Sequence, residues 1–410
     1  MLRRNKEIVM SLQGYFDYNA TTPMCQQAID ALNGALFDFG NPSSKYSLAN
    51  ISKQRLENAR RQVARLVGCD SSELTFTSGG TEANNWAIKG TLTSRGSIGN
   101  AQPAHVIVSS IEHSSVLEIA SYLERVFGFE VTRIKPNADG IVSAKAVEAV
   151  LRPNTQLVSI MLVNNEVGTI QPVGEISTLL RARGIHFHVD GVQAVGKIHV
   201  NAHELGVDTM SFAAHKFYGP KGVGGLYVRQ GLTIEPLLHG GDQEGGLRGG
   251  TEAVALIVAM GAAAEAIYAV LPELVFRAAN YRITFSRLLI EYVPGVSFHG
   301  PSDPEQQVPY TLSVCIDGIR AEALAAILDQ MHGIQVSLGS ACANNKTVSL
   351  SHVLVAMGVS ERAIKATLRV SFGQYTEEQD LKRFVDAMAQ GVRSLQRISK
   401  AVDHEQTTPA

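Results

Sequence analysis

The chain has 410 residues, of which 45% are hydrophobic and 18% are charged. A chain of this length and composition can bury a large core, and it exceeds the usual size of one compact domain. The formal net charge of -2 and the lack of a long Lys/Arg run exclude the electrostatic footprint of a nucleic-acid-binding or membrane-surface protein. We therefore expect two domains, a small-molecule substrate, and no direct contact with nucleic acid or a membrane.

The N-terminal residues 1–7 are basic, but no apolar core of signal-peptide length follows them. No later uncharged stretch is long enough to span a bilayer. We expect a soluble, cytoplasmic protein whose translation starts at Met1 or at Met10. The cysteines are too scattered to indicate a disulfide framework or a zinc site; they are Cys25, Cys69, Cys315 and Cys342.

Short β-branched segments alternate with helical patterns along the chain, for example at Leu74–Thr77, His105–Ser109 and Leu157–Leu162. This alternation predicts an α/β fold in which a mainly parallel sheet has helices on both faces. Ligands bind such sheets in the loops that follow the strands. Polar residues in these loops are therefore the candidates for chemistry.

The first such loop contains Gly80 and Thr81, within the sequence Thr-Ser-Gly-Gly-Thr-Glu. A glycine-containing loop that opens a helix offers free backbone N–H groups and a favourable dipole to a phosphate, and Thr81 adds a hydroxyl. Taken alone, the pattern is more typical of a turn with a helix cap. The phosphate interpretation depends on the residues that follow.

His113 comes after another predicted strand and could stack on a planar cofactor or exchange protons with a substrate. Asn165 and Gln193 lie on comparable loops and could hydrogen-bond to a ring oxygen. The alternative for all three is a purely structural role in a turn or cap.

Asp190 ends the predicted strand His186–Asp190, and Lys216 follows a second apolar, strand-like run. A lysine that forms a Schiff base, with an acid that pairs with a pyridine nitrogen, is typical of pyridoxal phosphate enzymes. His215 could help to orient the cofactor ring. The alternatives are a solvated lysine and a helix-capping aspartate, but the two residues together favour the cofactor.

The stretch 252–292 is rich in Ala, Leu and Glu and predicts one or two helices that lead towards a second domain. We place the boundary near residue 270. Residues 24–270 are then a large cofactor-binding domain, and residues 1–23 with 271–410 form a small α+β domain that carries a cysteine loop.

In that loop, Cys342 lies among small and polar residues, which indicates an accessible thiol, as a reactive cysteine requires. Cys315 instead lies in an apolar run and is predicted to be buried. Arg369 could bind a substrate carboxylate with two hydrogen bonds, although a surface salt bridge is the alternative.

In their order along the chain, these motifs resemble the cysteine desulfurases of the class V aminotransferase family, of the iron–sulfur cluster assembly type. The resemblance covers nearly the whole chain. It is carried by the segments 15–23, 40–44, 76–82, 112–113, 163–168, 188–190, 215–216 and 339–342.

The resemblance implies a homodimer of the fold-type I class with pyridoxal 5'-phosphate on Lys216. The implied catalytic residues are Cys342, Lys216 and His113. The implied cofactor-binding residues are Lys216, Asp190, Gln193, Gly80, Thr81, Asn165, His215 and Thr251, the last supplied by the partner subunit. Arg369 and Asn165 are implied to bind the substrate.

The implied reaction converts L-cysteine to L-alanine, leaves a persulfide on Cys342, and transfers the sulfur to an acceptor protein. The acceptor could be an iron–sulfur scaffold, a tRNA-thiolation protein or a DNA-sulfur-modification protein. Two other functions stay open: a lyase for selenocysteine or another β-substituted amino acid, and a catalytically weakened sulfur-trafficking partner.

Some positions depart from the family pattern. Ala213 replaces a serine whose hydroxyl would meet the phosphate, and a hydrogen bond to a charged group is worth about 1.5 to 3 kcal/mol. Asp242, Gly245 and Gly249 alter a loop that in relatives carries an arginine and a serine. We therefore expect a lower cofactor affinity or a compensating donor, and the loop changes bear on the acceptor preference more than on the reaction.

Overall fold

Two β-sheets organise the part of the chain that the computed structural model describes, which comprises residues 12–98, 103–338 and 350–406. Side chains are described up to residue 397. The predicted nucleophile Cys342 lies outside these residues.

The first sheet has seven strands in the spatial order β1-β7-β6-β5-β4-β2-β3. Strand β7 is antiparallel to both of its neighbours, and every other neighbouring pair is parallel. This confirms the predicted mainly parallel sheet. The strands are β1 (Leu74–Thr77), β2 (His105–Ser109), β3 (Glu130–Ile134), β4 (Thr155–Ser159), β5 (His186–Asp190), β6 (Thr209–Ala213) and β7 (Gly224–Val228).

Both faces of this sheet are covered, as alternate residues of β2 show. Val106 and Val108 pack in one core cluster with Leu92, whereas Ile107 belongs to a different cluster with Val158. Side chains alternate between the faces of a strand, so the two clusters lie on opposite faces. The first helices are α1 (Gln26–Ala35), α2 (Ser47–Val67), α3 (Gly80–Ser94), α4 (Ser114–Phe127), α5 (Ala144–Glu148), α6 (Val173–Arg181) and α7 (Ala202–Leu205).

A single helix, α8 (Val254–Tyr292), covers the stretch for which one or two helices were predicted. It packs against α1 and α2. It is long and apolar enough to cross a membrane, but half of its most apolar window is buried inside the protein, and Glu265 interrupts the uncharged run. It is therefore a core helix. The predicted boundary near residue 270 falls within it and stays a prediction.

The second sheet is antiparallel throughout, with the order β10-β11-β9-β8. Residues 15–17 of the N-terminal segment add isolated bridges to Gln335 and Ser371, so the start of the chain lies beside the second sheet. Its strands are β8 (Val296–His299), β9 (Thr311–Ile316), β10 (Ser337–Leu338) and β11 (Thr367–Ser371). The remaining helices are α9 (Ala321–His332), α10 (His352–Ala356), α11 (Glu361–Lys365) and α12 (Glu378–Gln406).

Candidate active site

One cavity collects most of the residues singled out in the sequence. It lies where β4, β5 and β6 end and where α3 and α4 begin, as expected for ligand sites in parallel sheets. The predicted site residues that line it are Gly80, Thr81, His113, Asn165, Asp190, Gln193, His215 and Lys216. Asn84 and Ser115, which the sequence analysis did not single out, also line it.

Lys216 ends a short 3-10 turn that directly follows β6. Its Nζ donates hydrogen bonds to the backbone carbonyl oxygens of Asn19, at 2.6 Å, and Ala20, at 2.8 Å. Burial, followed by the charge of Arg369, lowers the pKa of Lys216 to about 8. A larger share of the amine is therefore neutral near physiological pH than for a solvated lysine, and the neutral amine is the form that attacks an aldehyde.

Asp190 is buried at the carboxyl end of β5. Its Oδ2 accepts a hydrogen bond of 2.8 Å from Asn84 Nδ2, and its Oδ1 accepts one of 2.9 Å from the backbone N–H of Val192. The carboxyl group of Asp190 accepts both hydrogen bonds, so it acts as a hydrogen-bond acceptor at the cavity. A protonated ring nitrogen requires such a partner.

His113 caps the N-terminus of α4. Its Nδ1 lies 2.8 Å from Ser115 Oγ and accepts a longer bond of 3.2 Å from the Ser115 backbone N–H. Burial is the main cause that lowers the pKa of His113, and the positive charge of Lys216 acts in the same direction. The nearby Asp190 carboxylate opposes this shift, but the lowered pKa favours the neutral ring.

Gln193 is held by a buried lysine that the sequence analysis missed. Lys197 Nζ donates hydrogen bonds of 2.6 Å to Gln193 Oε1 and to Asn19 Oδ1. Gln193 Nε2 in turn donates to the Asn19 carbonyl oxygen at 2.9 Å. Burial lowers the pKa of Lys197 well below its usual value. The signal in the sequence is a lysine within the apolar run Ala194–Ile198.

The start of α3 borders the cavity, which Gly80 and Thr81 line. The first N–H groups of an α-helix have no partners within the helix and can bind an anion. His215 is beside them, with Nδ1 3.2 Å from Thr21 Oγ1, and burial lowers its pKa to about 4, which keeps the ring neutral. Ala213 presents only a methyl group here.

These groups fit pyridoxal phosphate. The helix N-terminus with Thr81 suits a phosphate, the Asp190 carboxylate suits a pyridinium nitrogen, and the Lys216 amine suits an aldehyde. The donors and acceptors at the cavity thus match each polar end of that molecule.

Two of the predicted residues, Arg369 and Thr251, do not line this cavity. Arg369 forms an ion pair of 2.6 Å with Asp17 and donates to the Asn165 carbonyl oxygen at 3.2 Å, while its buried Nε has no partner within the described residues. Thr251 is exposed and lines a groove separate from the Lys216 cavity. Cys342, as stated above, is not among the described residues.

The loop at residues 240–250, whose sequence departs from the family pattern, is held in place by a buried carboxylate. Glu244 accepts hydrogen bonds from both terminal nitrogens of Arg60, at 2.8 and 2.7 Å, and from the backbone N–H of Phe76 at 2.8 Å. Its backbone is left-handed, with φ of 51°. At Gly249 an added Cβ would lie 2.7 Å from the Gly240 nitrogen, so this loop leaves no room for a serine side chain at that position.

Comparisons with known proteins show which family the chain resembles along nearly its whole length. The family model for class-V aminotransferases matches residues 14–384. A cysteine desulfurase IscS from Dictyoglomus turgidum is 39% identical over 391 residues, which are 95% of this chain and 97% of that protein. A solved NifS-like protein is 35% identical with a TM-score of 0.85, covering 93% of this chain and 99% of that one. A structure of SspA in complex with cysteine is 35% identical with a TM-score of 0.77, covering 89% of this chain and 100% of that one.

Proposed function

Because the chain belongs to the class-V aminotransferase family and, within it, to the cysteine desulfurases, we propose that it takes sulfur from L-cysteine onto Cys342 and passes it to a protein acceptor. The resemblance seen in the sequence is confirmed at the level of the family. The observation that carries the proposal is the cavity in which Lys216, Asp190 and the start of α3 meet.

The cysteine desulfurases use pyridoxal phosphate, and we assign its contacts to the cavity residues. Lys216 would hold the aldehyde end, Asp190 would accept a hydrogen bond from the ring nitrogen, and His113 would lie against the ring. When bound, the cofactor supplies an electron sink for the carbanions of amino-acid chemistry. Gln193 and Asn165 would hydrogen-bond to the ring oxygen. The phosphate would be bound by Gly80, Thr81 and His215, together with Thr251 of the partner subunit in a homodimer.

The chain's own residues then bind the substrate and move protons. Arg369 lies next to Asn165 through its bond to that backbone carbonyl, and its guanidinium is the charged group that we assign to the substrate carboxylate. The amine of Lys216 is a base whose lowered pKa suits proton transfer near neutral pH. His113 is the second group that can exchange protons with the substrate.

The sulfur step is a nucleophilic displacement by Cys342. The thiolate sulfur forms an S–S bond with the substrate sulfur as the substrate C–S bond breaks. The electron pair of the C–S bond stays with carbon, which takes up a proton and becomes the methyl group of L-alanine. The enzyme is left with a persulfide on Cys342, which an acceptor protein removes.

The test is turnover of L-cysteine by the cofactor-loaded protein in the presence of a thiol reductant. We expect L-alanine and sulfide in equal amounts. Cys342→Ala should abolish turnover but keep the cofactor absorption, while the control Cys69→Ala should keep both. Full activity in Cys342→Ala would contradict the persulfide step, and failure of the wild-type protein to bind the cofactor would contradict the whole assignment.

We further propose a cytoplasmic location and an acceptor that assembles iron–sulfur clusters, because the relatives include IscS proteins. Capture of proteins that accept labelled sulfur from the Cys342 persulfide tests this. A tRNA-thiolation protein or a DNA-sulfur-modification protein as the main acceptor would replace the iron–sulfur assignment.

A further inference from the structure

Asn84 of α3 is a buried residue with no role in the chemistry above, yet it bonds to two side chains of the cavity wall and to a buried histidine. It is 1% exposed. Its Nδ2 donates hydrogen bonds of 2.8 Å to Asp190 Oδ2 and of 2.8 Å to Ser115 Oγ. Its Oδ1 lies 3.1 Å from His188 Nε2. The amide nitrogen must face Asp190, because a carboxylate can only accept.

His188, which contacts the amide oxygen of Asn84, fixes the same orientation of that amide. Burial lowers the pKa of His188 to about 3, so the ring is neutral and carries one proton. Its Nδ1 lies 3.0 Å from Thr209 Oγ1. Because Asn84 Oδ1 can only accept, the His188 proton is on Nε2, and Thr209 donates to Nδ1. Every hydrogen-bonding group of Asn84 therefore has a fixed direction.

The fixed orientation of Asn84 affects His113 through Ser115. Since Ser115 Oγ accepts from Asn84, its own proton is free to be donated to His113 Nδ1 at 2.8 Å. The Ser115 backbone N–H also points at that nitrogen. A ring nitrogen that faces two donors carries no proton. His113 Nε2 has no hydrogen-bond partner within the described part of the chain, and it is the nitrogen left for the cavity.

We propose that Asn84 is a positioning residue that holds His113 with its ring proton on Nε2 and holds Asp190 as an acceptor for the cofactor ring. The inference rests on the roles proposed above for these two residues. It implies that His113 meets the incoming substrate as a hydrogen-bond donor.

The test reads the ring nitrogens of His113 directly. The full-length, cofactor-free protein is labelled with nitrogen-15 histidine, and the His113 signals are assigned from their loss in His113→Gln. We expect an unprotonated Nδ1 and a protonated Nε2. Asn84→Asp should reverse this, because the new carboxylate accepts the Ser115 proton, and Ser115 Oγ then accepts from Nδ1–H. The control Asn85→Asp places the same charge one residue further along α3 and should leave the signals unchanged.

A protonated Nδ1 in the wild-type protein would overturn the proposal, and so would unchanged signals in a folded Asn84→Asp protein. If Asn84→Asp does not fold, Asn84→Leu removes the same bonds without adding charge and should give a mixture of the two ring forms. A single Nε2-protonated form in that protein would also overturn it.

A second measurement concerns Asp190. Asn84→Asp should weaken binding of pyridoxal phosphate by about 10- to 100-fold relative to Asn85→Asp, because it removes a donor to a charged acceptor and adds a like charge. Equal affinities would overturn the part of the proposal that concerns Asp190. The nitrogen signals do not depend on turnover, so a failure of this inference is distinguishable from a failure of the desulfurase assignment.

Discussion

Removal of the Glu244 carboxylate should destabilise the protein strongly. The side chains of Glu244 and Arg60 are only 2% and 11% exposed, and the carboxylate accepts three hydrogen bonds. Breaking a buried ion pair leaves the other charge uncompensated, which costs about 3 to 5 kcal/mol. We therefore expect Glu244→Ala to lower the free energy of unfolding by that amount. Asp317→Ala, which breaks an exposed pair with Arg362, should cost less than about 1 kcal/mol.

The measurement is urea unfolding followed by circular dichroism, on cofactor-free protein at one fixed concentration, because ligand binding and association shift apparent stability. Arg60→Met and the double variant complete a double-mutant cycle. The second substitution should add little to the first, since the pair is already broken. A loss below about 1 kcal/mol in Glu244→Ala, or additive effects of the two substitutions, would refute the reasoning.

Three further predictions concern the cofactor site and the loop at residues 240–250. Ala213→Ser should raise the affinity for pyridoxal phosphate about tenfold or more in a fluorescence titration, since it restores a hydroxyl donor to the phosphate; an unchanged affinity would mean that another donor compensates. Capture of the cofactor by the empty protein should accelerate as the pH rises through about 8, because below the pKa of Lys216 its amine is protonated; a stopped-flow rate that is flat across this range contradicts the assignment. Gly249→Ser should lower the free energy of unfolding by about 1 to 3 kcal/mol, because the added Cβ would overlap the Gly240 nitrogen, and an unchanged urea midpoint would count against the crowding.

The strands and the residues at their ends were predictable because their pattern is local. The predicted bounds of β1, β2 and β5 agree with the structure. The strand predicted to end at Leu162 ends at Ser159, although the Leu162 N–H still donates to the Asp190 carbonyl oxygen. The burial predicted for Cys315 is also confirmed.

The residues that support the site were not predictable, because their contacts are tertiary. Asn84, Lys197 and Glu244 each bond to groups far away in the chain. Asn84 shares the buried face of α3 with Ala83 and Ala87, and a polar residue on such a face is the signal that could have drawn attention to it. For Glu244 a sequence gives no comparable signal, because its left-handed backbone is set by the loop as a whole.

The contacts of Asn19 determine when, during synthesis of the chain, the active site can be complete. Its backbone N–H bonds to Ser371 Oγ at 3.0 Å, and its amide bonds to Thr311 Oγ1 at 2.8 Å, while its carbonyl oxygen accepts from Lys216. Residue 19 leaves the ribosome long before residue 371 does. The surroundings of the reactive amine are thus complete only after residue 371 has been made, so a chain that terminates before it lacks a finished active centre.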